Sequence, residues 1–392
     1  MTKQGIIVAT SVGARDIRAR PRVAIANGEY DVFLLALVGV LTLFGLVAVW
    51  SASGAGPITP GSLVVRQALW AVVGGIGMVA VSLVHYRFLR AFAAVFYGVS
   101  ILLLLSLNVI GTNISGSTRW IYIGPVSFQP SEVAKIGVII ALAAFIHARA
   151  DEMDRLVNFI IASVIPGVPA LLVFVQPDLG TTGAFVAIWL AMTLMSGVRR
   201  LYLFGVIAAV IPFSWVFWHF LMQDYQKDRL LISFDPNRDY FGDGFNIIQA
   251  QVTIGSGGWF GHGLQGGSQA EYNLLKVSTT DFIFAHTMSM FGFVGGIALF
   301  LTFMLVLWRM TRAITLAQDT FGQQLAVGIT TMLFFHTFVN IGMNLGLMPV
   351  TGIPLPFISL GGTSLAMTLL SVGILQSVVM NQRRLGFQTR SR

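Results

Sequence analysis

The chain has 392 residues, 55% hydrophobic and only 10% charged, with a mean hydropathy of +0.79 and a formal net charge of +8. A chain so apolar and so poor in charge is no ordinary water-soluble domain, and its composition predicts an all-α polytopic membrane protein. Cysteine is absent, which excludes a disulfide framework and a thiolate metal site.

Residues 1–32 begin MTKQGIIVATSVGARDIRARPRVA and lack an apolar stretch followed by a small-residue cleavage site, so they read as a retained basic tail. Spanning the hydrocarbon takes about 20 apolar residues. Such runs predict about ten transmembrane helices, at 33–51, 68–84, 91–110, 133–148, 156–175, 181–197, 201–221, 283–308, 324–346 and 361–380. Together they make one membrane domain over 33–380, followed by a second basic tail at 381–392. The long stretch without a membrane-length run, 223–281, is a large loop between helices 7 and 8.

Positive charge supplies the orientation. With the N-terminus inside, 17 of the 24 Lys and Arg residues fall on inside segments, among them Arg87 and Arg90, Arg149 and Arg155, Arg199 and Arg200, and Arg309 and Arg312. Cytoplasmic loops collect such residues, so both tails are expected in the cytoplasm and the large loop outside it. The net charge is then a topology signal facing anionic lipid. No aromatic platform or DNA-reading motif accompanies it, so a nucleic-acid partner is not expected.

Seven cations fall on the outer side: Arg66, Arg119, Lys135, Lys227, Arg229, Arg238 and Lys276. The first informative outer segment is GTNISGSTRWIYIGPVSFQPSEVAKIG, residues 111–137, a turn-rich loop with Trp120 and Tyr122 suited to the interface and Pro130 near a helix start. Glu132 and Lys135 stand three apart on one helical face. They can satisfy each other as a local ion pair, or face a cavity, as ionisable residues in membranes usually do. In QPDLGTTG, residues 176–183, Asp178 can cap the next helix, or stand beside the same outer cavity and order a cation.

Within the large loop, Asn246 to Ile254 form an amphipathic stretch expected to lie on the membrane surface. The glycines of GSGGWFGHG, residues 255–263, permit a flexible turn or a backbone that offers amides to an anion. His262 and Asp243 lack the spacing of a zinc site. The acids Asp224, Asp228, Asp235, Asp239, Asp243 and Glu271 leave room for a hard, oxygen-bound divalent cation, although DPNRDYFGDG departs from a calcium-binding loop. Next, in STTDFIFAHTMSMFG, Asp281 stands alone at the mouth of an apolar run. Finally, LMPVTGIPLPFISLGGTS puts three prolines and three glycines between two apolar helices, an irregular backbone that needs cover or a water-lined cavity. Ser359 and Thr363 can contact a substrate there or bond to local backbone.

The blocks SGSTRWIYIGPVSFQPSEVAK, QPDLGTTG, QKDRLLISFDPNRDYFGDGFNIIQAQVTIGSGGWFGHGLQGGSQ, TTDFIFA and NIGMNLGLMPVTGIPLPFISLGGTSL resemble, in order, those of the SEDS family, the shape, elongation, division and sporulation glycosyltransferases. GIPLPFIS is similar to the elongation branch, whereas division members usually carry TLPFIS. The resemblance implies a ten-helix polymerase of the bacterial cytoplasmic membrane that builds peptidoglycan strands from lipid II, with the Asp of TDF, here Asp281, as the catalytic residue. It also implies a class B penicillin-binding protein, the cross-linking transpeptidase, as partner, alongside lipid II, the nascent glycan and membrane lipid.

Diphosphate is a good leaving group, so one base and stabilisation of the departing charge suffice, unlike the two-carboxylate hydrolysis of a glycoside. Arg119, Lys135 and Arg229, with Arg66 behind them, are the candidates for diphosphate contact, and Glu132, Ser359 and Thr363 complete the expected substrate site. No cofactor is certain, although a divalent cation can share the diphosphate charge. A lipid II exporter or a noncatalytic scaffold of a wall-synthesis complex remain as alternatives. Departures from the family pattern cluster near Asp281: the usual His before TD is absent, HTMSM replaces a stretch with paired acids, and SLGG replaces SYGG.

Overall fold

A computed structural model describes residues 29–114, 117–124, 126–222, 227–228, 231–232, 235–239, 243–264, 275 and 277–381. Nearly all of both basic tails, and Arg229, lie outside these residues. In lipid no water satisfies backbone amides, so the apolar runs must close their hydrogen bonds internally as helices. They do so as α1 (Val32–Ala52), α2 (Leu63–Leu83), the short α3 (Arg87–Ala91), α4 (Ala93–Ile110), α5 (Pro130–Ala148), α6 (Leu156–Val175), α7 (Leu179–Leu194) and α8 (Arg200–Val216). Then follow α9 (Asp243–Ser256), α10 (Ile283–Leu316), α11 (Thr320–Asn344) and α12 (Gly362–Met380).

Among the described residues nine helices are long and apolar enough to cross a membrane. The tenth expected span, α7, is apolar but has only 16 residues. At about 1.5 Å per residue it falls short of the roughly 30 Å hydrocarbon core. It is the second arm of a hairpin with α6 and begins at a cap, Asp178, whose Oδ1 accepts from the Thr181 N–H at 3.0 Å.

Helix starts follow polar caps that hydropathy does not register. Asp31 accepts from the Leu34 N–H at the start of α1, and its carboxylate receives Arg309 Nε of α10 at 2.7 and 2.9 Å. The Gln376 side chain of α12 both donates to and accepts from the Asp31 backbone at 3.0 Å. One residue thus gathers three helices. Asp319 likewise caps α11 through the Gly322 N–H, while accepting from Tyr86 Oη and Arg87 Nε. That is why α11 begins at 320 and not at the expected 324.

Other expectations change as well. The turn-rich loop after α4 is a three-stranded antiparallel sheet, β1 (Thr112–Ile114), β2 (Ser117–Ile123) and β3 (Val126–Phe128), in the order β1-β2-β3 with Ile121 opposite Phe128. The amphipathic segment of the large loop forms α9, and it packs on protein: Ile247, Ala250 and Thr253 are buried, and Ala250 joins Phe282 and Ala285 of the α10 entrance in a small apolar cluster.

The expected eighth span runs eight residues further, to Leu316, and breaks at Gly292, whose φ of 64° and ψ of −164° are not helical. Residues 257–263 fill the break. Ser289 and Met290 carbonyls accept from His262 and Gly263 N–H, and the N–H groups of Phe293 and Val294 donate to Gly258 and Trp259 carbonyls. These four bonds satisfy backbone that the kink sets free. A Cβ on Gly292 would collide with the backbone nitrogens of Gly261 and Phe260. Gly292→Ala is therefore expected to lower stability by about 2–4 kcal/mol, combining overpacking with a left-handed φ, read as an earlier thermal unfolding midpoint in detergent.

Candidate active site

Asp281 precedes the first residue of α10 and is not helical. It ends a turn opened by Val277, at φ 59°, whose carbonyl accepts from Thr280 and Phe282 N–H. The three carbonyls of the TTD tripeptide are each tied to a distant segment. That of Thr279 accepts from Leu360 N–H at 2.9 Å, that of Thr280 from Ser359 Oγ at 2.7 Å, and that of Asp281 from Asn344 and Asn340 Nδ2 at 2.9 and 3.1 Å.

The cavity beside this turn is about 440 Å³. Its walls include Arg66, Gln67 and Trp70 of α2, Arg119 and Trp120 of β2, the 277–281 turn, and Gly352, Pro354, Leu360, Gly361 and Gly362. Burial pushes the Asp281 carboxyl up to about 6. A hydrogen bond from Thr280 and the charge of Arg119 pull the other way, while Asp178 adds to the rise. Such a carboxyl is ionised at neutral pH yet basic enough to take a proton.

Arg119 is held in place. Its guanidinium donates to the carbonyls of Gln176 (3.4 Å) and Pro177, and faces the Asp178 carboxylate at 3.8 Å. Asp178 thus has the capping role and also stands behind the cavity wall. Both Arg66 and Arg119 line the same cavity as Asp281, so the structure brings three of the expected site residues together.

Others stand elsewhere. Glu132 and Lys135 do not line the cavity: they are buried in α5, where Lys135 Nζ donates to Glu132 Oε1 at 2.8 Å and meets His336 Nε2 of α11 at 2.9 Å. The local ion-pair reading holds, with a third partner. The Ser359 hydroxyl donates to the Thr280 carbonyl and accepts from Leu355 N–H, and the Thr363 hydroxyl donates to the Ser127 carbonyl and accepts from Gln129 N–H. Neither residue lines the cavity: the first hydroxyl braces the 277–281 turn and the second fastens α12 to β3. Arg229 lies outside the described residues. Among the described residues no three His, Asp or Glu side chains gather as a metal site, and two of the loop acids named for a divalent cation, Asp224 and Glu271, lie outside those residues.

Sequence reasoning passed over Gln67, Asn340 and Asn344. Gln67 donates to the Ser359 carbonyl and accepts from Gly361 N–H, joining α2 to the cavity floor. The signal for the two asparagines was present: polar residues four apart on an otherwise apolar span are costly in lipid unless they have partners. The HTMSM departure also has a structural meaning. His286 Nε2 lies 2.9 Å from Ser51 Oγ, which donates its only hydrogen to the Leu264 carbonyl, so the imidazole is the donor. Ser289 and Met290 present the carbonyls that receive the glycine loop.

The sequence model of the FtsW, RodA and SpoVE family, described as cell cycle protein, matches residues 31–384. The chain is 35% identical over 355 residues to the peptidoglycan glycosyltransferase MrdB of Escherichia coli K12, spanning 91% of this chain and 95% of that protein. It is 34% identical over 355 residues to the stage V sporulation protein E of Bacillus subtilis 168, spanning 89% and 96%. A chain solved in work on the structural coordination of polymerization and crosslinking by a peptidoglycan synthase complex superposes with a TM-score of 0.77 at 30% identity, over 91% of this chain and 99% of that one.

Proposed function

The chain belongs to the FtsW, RodA and SpoVE cell cycle protein family, the SEDS family of multi-pass membrane proteins, and from that premise we propose that it is a peptidoglycan glycosyltransferase polymerising lipid II in cell elongation. The observation that carries the mechanism is Asp281, with its carboxyl near 6, facing two arginines across one cavity. Asp281 takes the proton of the acceptor sugar hydroxyl as its oxygen attacks the anomeric carbon of the donor. The bond from that carbon to the diphosphate oxygen breaks, a β-1,4 linkage forms, and undecaprenyl diphosphate leaves. Arg119, preset by Asp178 and two carbonyls, and Arg66 stabilise the charge on the departing diphosphate, for which guanidinium geometry is suited.

The elongation assignment is supported by Pro354, which stands where division members carry Thr and which lines the cavity. We place the protein in the bacterial cytoplasmic membrane with both tails inside, and take its protein partner to be a class B penicillin-binding protein, a reading supported by the solved peptidoglycan synthase complex it resembles.

The test is purified protein with lipid II, alone and with the transpeptidase, and the glycan chains resolved on a gel. Polymer is the expected product, whereas lipid II movement across sealed vesicles without polymer would replace the polymerase with an exporter. A pH series refines it. The ionised carboxylate is the base, so kcat/KM is expected to be flat at neutral pH and to fall about tenfold per unit below the Asp281 value of about 6. An acid limb near the ordinary carboxylate value would remove the buried base from the mechanism.

A further inference from the structure

The proposed chemistry requires the Asp281 carboxylate to stand in the cavity, and the first turn of α10 contains a device that holds it there. In an uninterrupted helix the Ala285 N–H would donate to the Asp281 carbonyl four residues back. Here that N–H donates to Asn344 Oδ1 at 3.0 Å, and the Asp281 carbonyl accepts from Asn344 Nδ2 at 2.9 Å. The next rung, His286 N–H to the Phe282 carbonyl at 3.1 Å, is an ordinary helical bond. One carboxamide of α11 is therefore spliced into the ladder of α10. It supplies both halves of the bond it interrupts and keeps residue 281 out of the helix.

Asn340, one turn earlier on α11, completes the device. Its Nδ2 donates to the Asp281 carbonyl at 3.1 Å and to the Ile353 carbonyl at 2.8 Å, and its own carbonyl accepts from Asn344 Nδ2 at 2.8 Å. Ile353 lies between Gly352 and Pro354, which line the cavity beside Asp281, a Cβ on Gly352 standing 3.8 Å from Asp281 Oδ2. A single amide thus sets the spacing of two cavity walls. Both asparagines are fully buried and neither lines the cavity. The splice needs a donor and an acceptor on one planar group at one reach. Leucine offers neither, ionised aspartate lacks the donor, and glutamine is a methylene longer.

We infer that Asn340 and Asn344 are positioning residues for glycosyl transfer: by replacing a helical hydrogen bond with their own amides they fix the place of the Asp281 carboxylate against the 352–354 wall. A purely structural role, satisfying buried backbone, predicts something different. Substitution would then reduce the amount of folded protein and leave turnover per folded molecule alone.

The experiment uses full-length Asn344→Leu and Asn340→Leu with lipid II as the probe, turnover being counted per lipid II-binding site. Freed of the splice, Ala285 can bond Asp281 directly and wind it into α10. Turnover per site is expected to fall on the order of 100-fold for Asn344→Leu, with lipid II affinity changed less than about threefold, since small misplacements of a reacting group have effects of that size. The acid limb of kcat/KM is expected to move, because the carboxyl leaves its surroundings while the charged residues around it, Arg66, Arg119 and Asp178, are unaltered. Unchanged turnover per site together with an unmoved limb overturns the inference.

Should the leucine variants not fold, Asn344→Asp serves instead. It retains the acceptor for Ala285 and loses its donors on ionisation, so its fraction of wild-type turnover should drop as pH rises; a constant fraction is the opposing result. The inference rests on Asp281 acting as the base, and the two fail differently. An active Asp281→Asn removes the base itself, whereas an inactive Asp281→Asn beside fully active asparagine variants removes only the positioning.

Discussion

Asp281→Asn is expected to abolish glycan polymerisation while leaving the protein folded and able to bind lipid II. The substitution is isosteric and removes only the ability to take a proton, for which general-base assistance supplies about 10²–10⁴-fold in rate. Binding should persist because the main chain of residue 281 is held independently of its side chain, by Asn340 and Asn344 on its carbonyl and by the bonds on Thr279 and Thr280. Loss of a buried carboxylate can even favour folding, since burial is what raises its pKa. The measurement pairs gel analysis of glycan chains with lipid II affinity and an unfolding midpoint on the same preparation. Wild-type chain synthesis by the Asn variant would falsify the base assignment. Loss of affinity in parallel with activity would make Asp281 a binding residue.

The second large effect is on stability, at Lys135. Its ammonium sits inside the bundle between the Glu132 carboxylate and His336 Nε2, all three residues being buried. An ammonium only donates, so Nε2 must be the lone-pair nitrogen of a neutral ring. Lys135→Met keeps much of the volume but leaves a carboxylate and an imidazole acceptor without their shared donor. Removing one partner of a buried pair typically destabilises by about 3–5 kcal/mol, so a marked fall in the unfolding midpoint is expected. Adding Glu132→Gln, which neutralises the stranded charge, should recover part of the loss. An unchanged midpoint in Lys135→Met would show that the pair contributes nothing to folding. Lipid II affinity per folded molecule separates the roles: because Lys135 lies outside the cavity lining, it is expected to stay constant, and a selective loss of affinity would return Lys135 to diphosphate contact.

Most of the spans and the segments that carry the family blocks were legible because each rests on a local property. A run of apolar residues predicts its own helix wherever the chain goes, since lipid demands internally bonded backbone. The family blocks, likewise, are contiguous stretches that can be read without knowing their neighbours. Ser359 illustrates the limit. Its place in a Pro-rich and Gly-rich turn suggested a substrate contact, and the turn does border the cavity, yet its hydroxyl is consumed by the Thr280 carbonyl.

Tertiary structure decided which polar groups meet. Lys135 and Glu132 were visible as a pair three residues apart, but His336, 201 residues from Lys135, completes their site only because α5 and α11 pack together. Asp281 was visible as a lone acid, but the amides that hold its carbonyl come from 59 and 63 residues away. Gly292 was one glycine among many in an apolar run, until the 257–263 loop, with amides of its own to satisfy, entered the break it permits. Hydropathy is a sum over neighbours in sequence, so it placed the helices and the acid at the rim of one of them. Hydrogen bonds are directional and short, so the partners of that acid were set only when the helices packed.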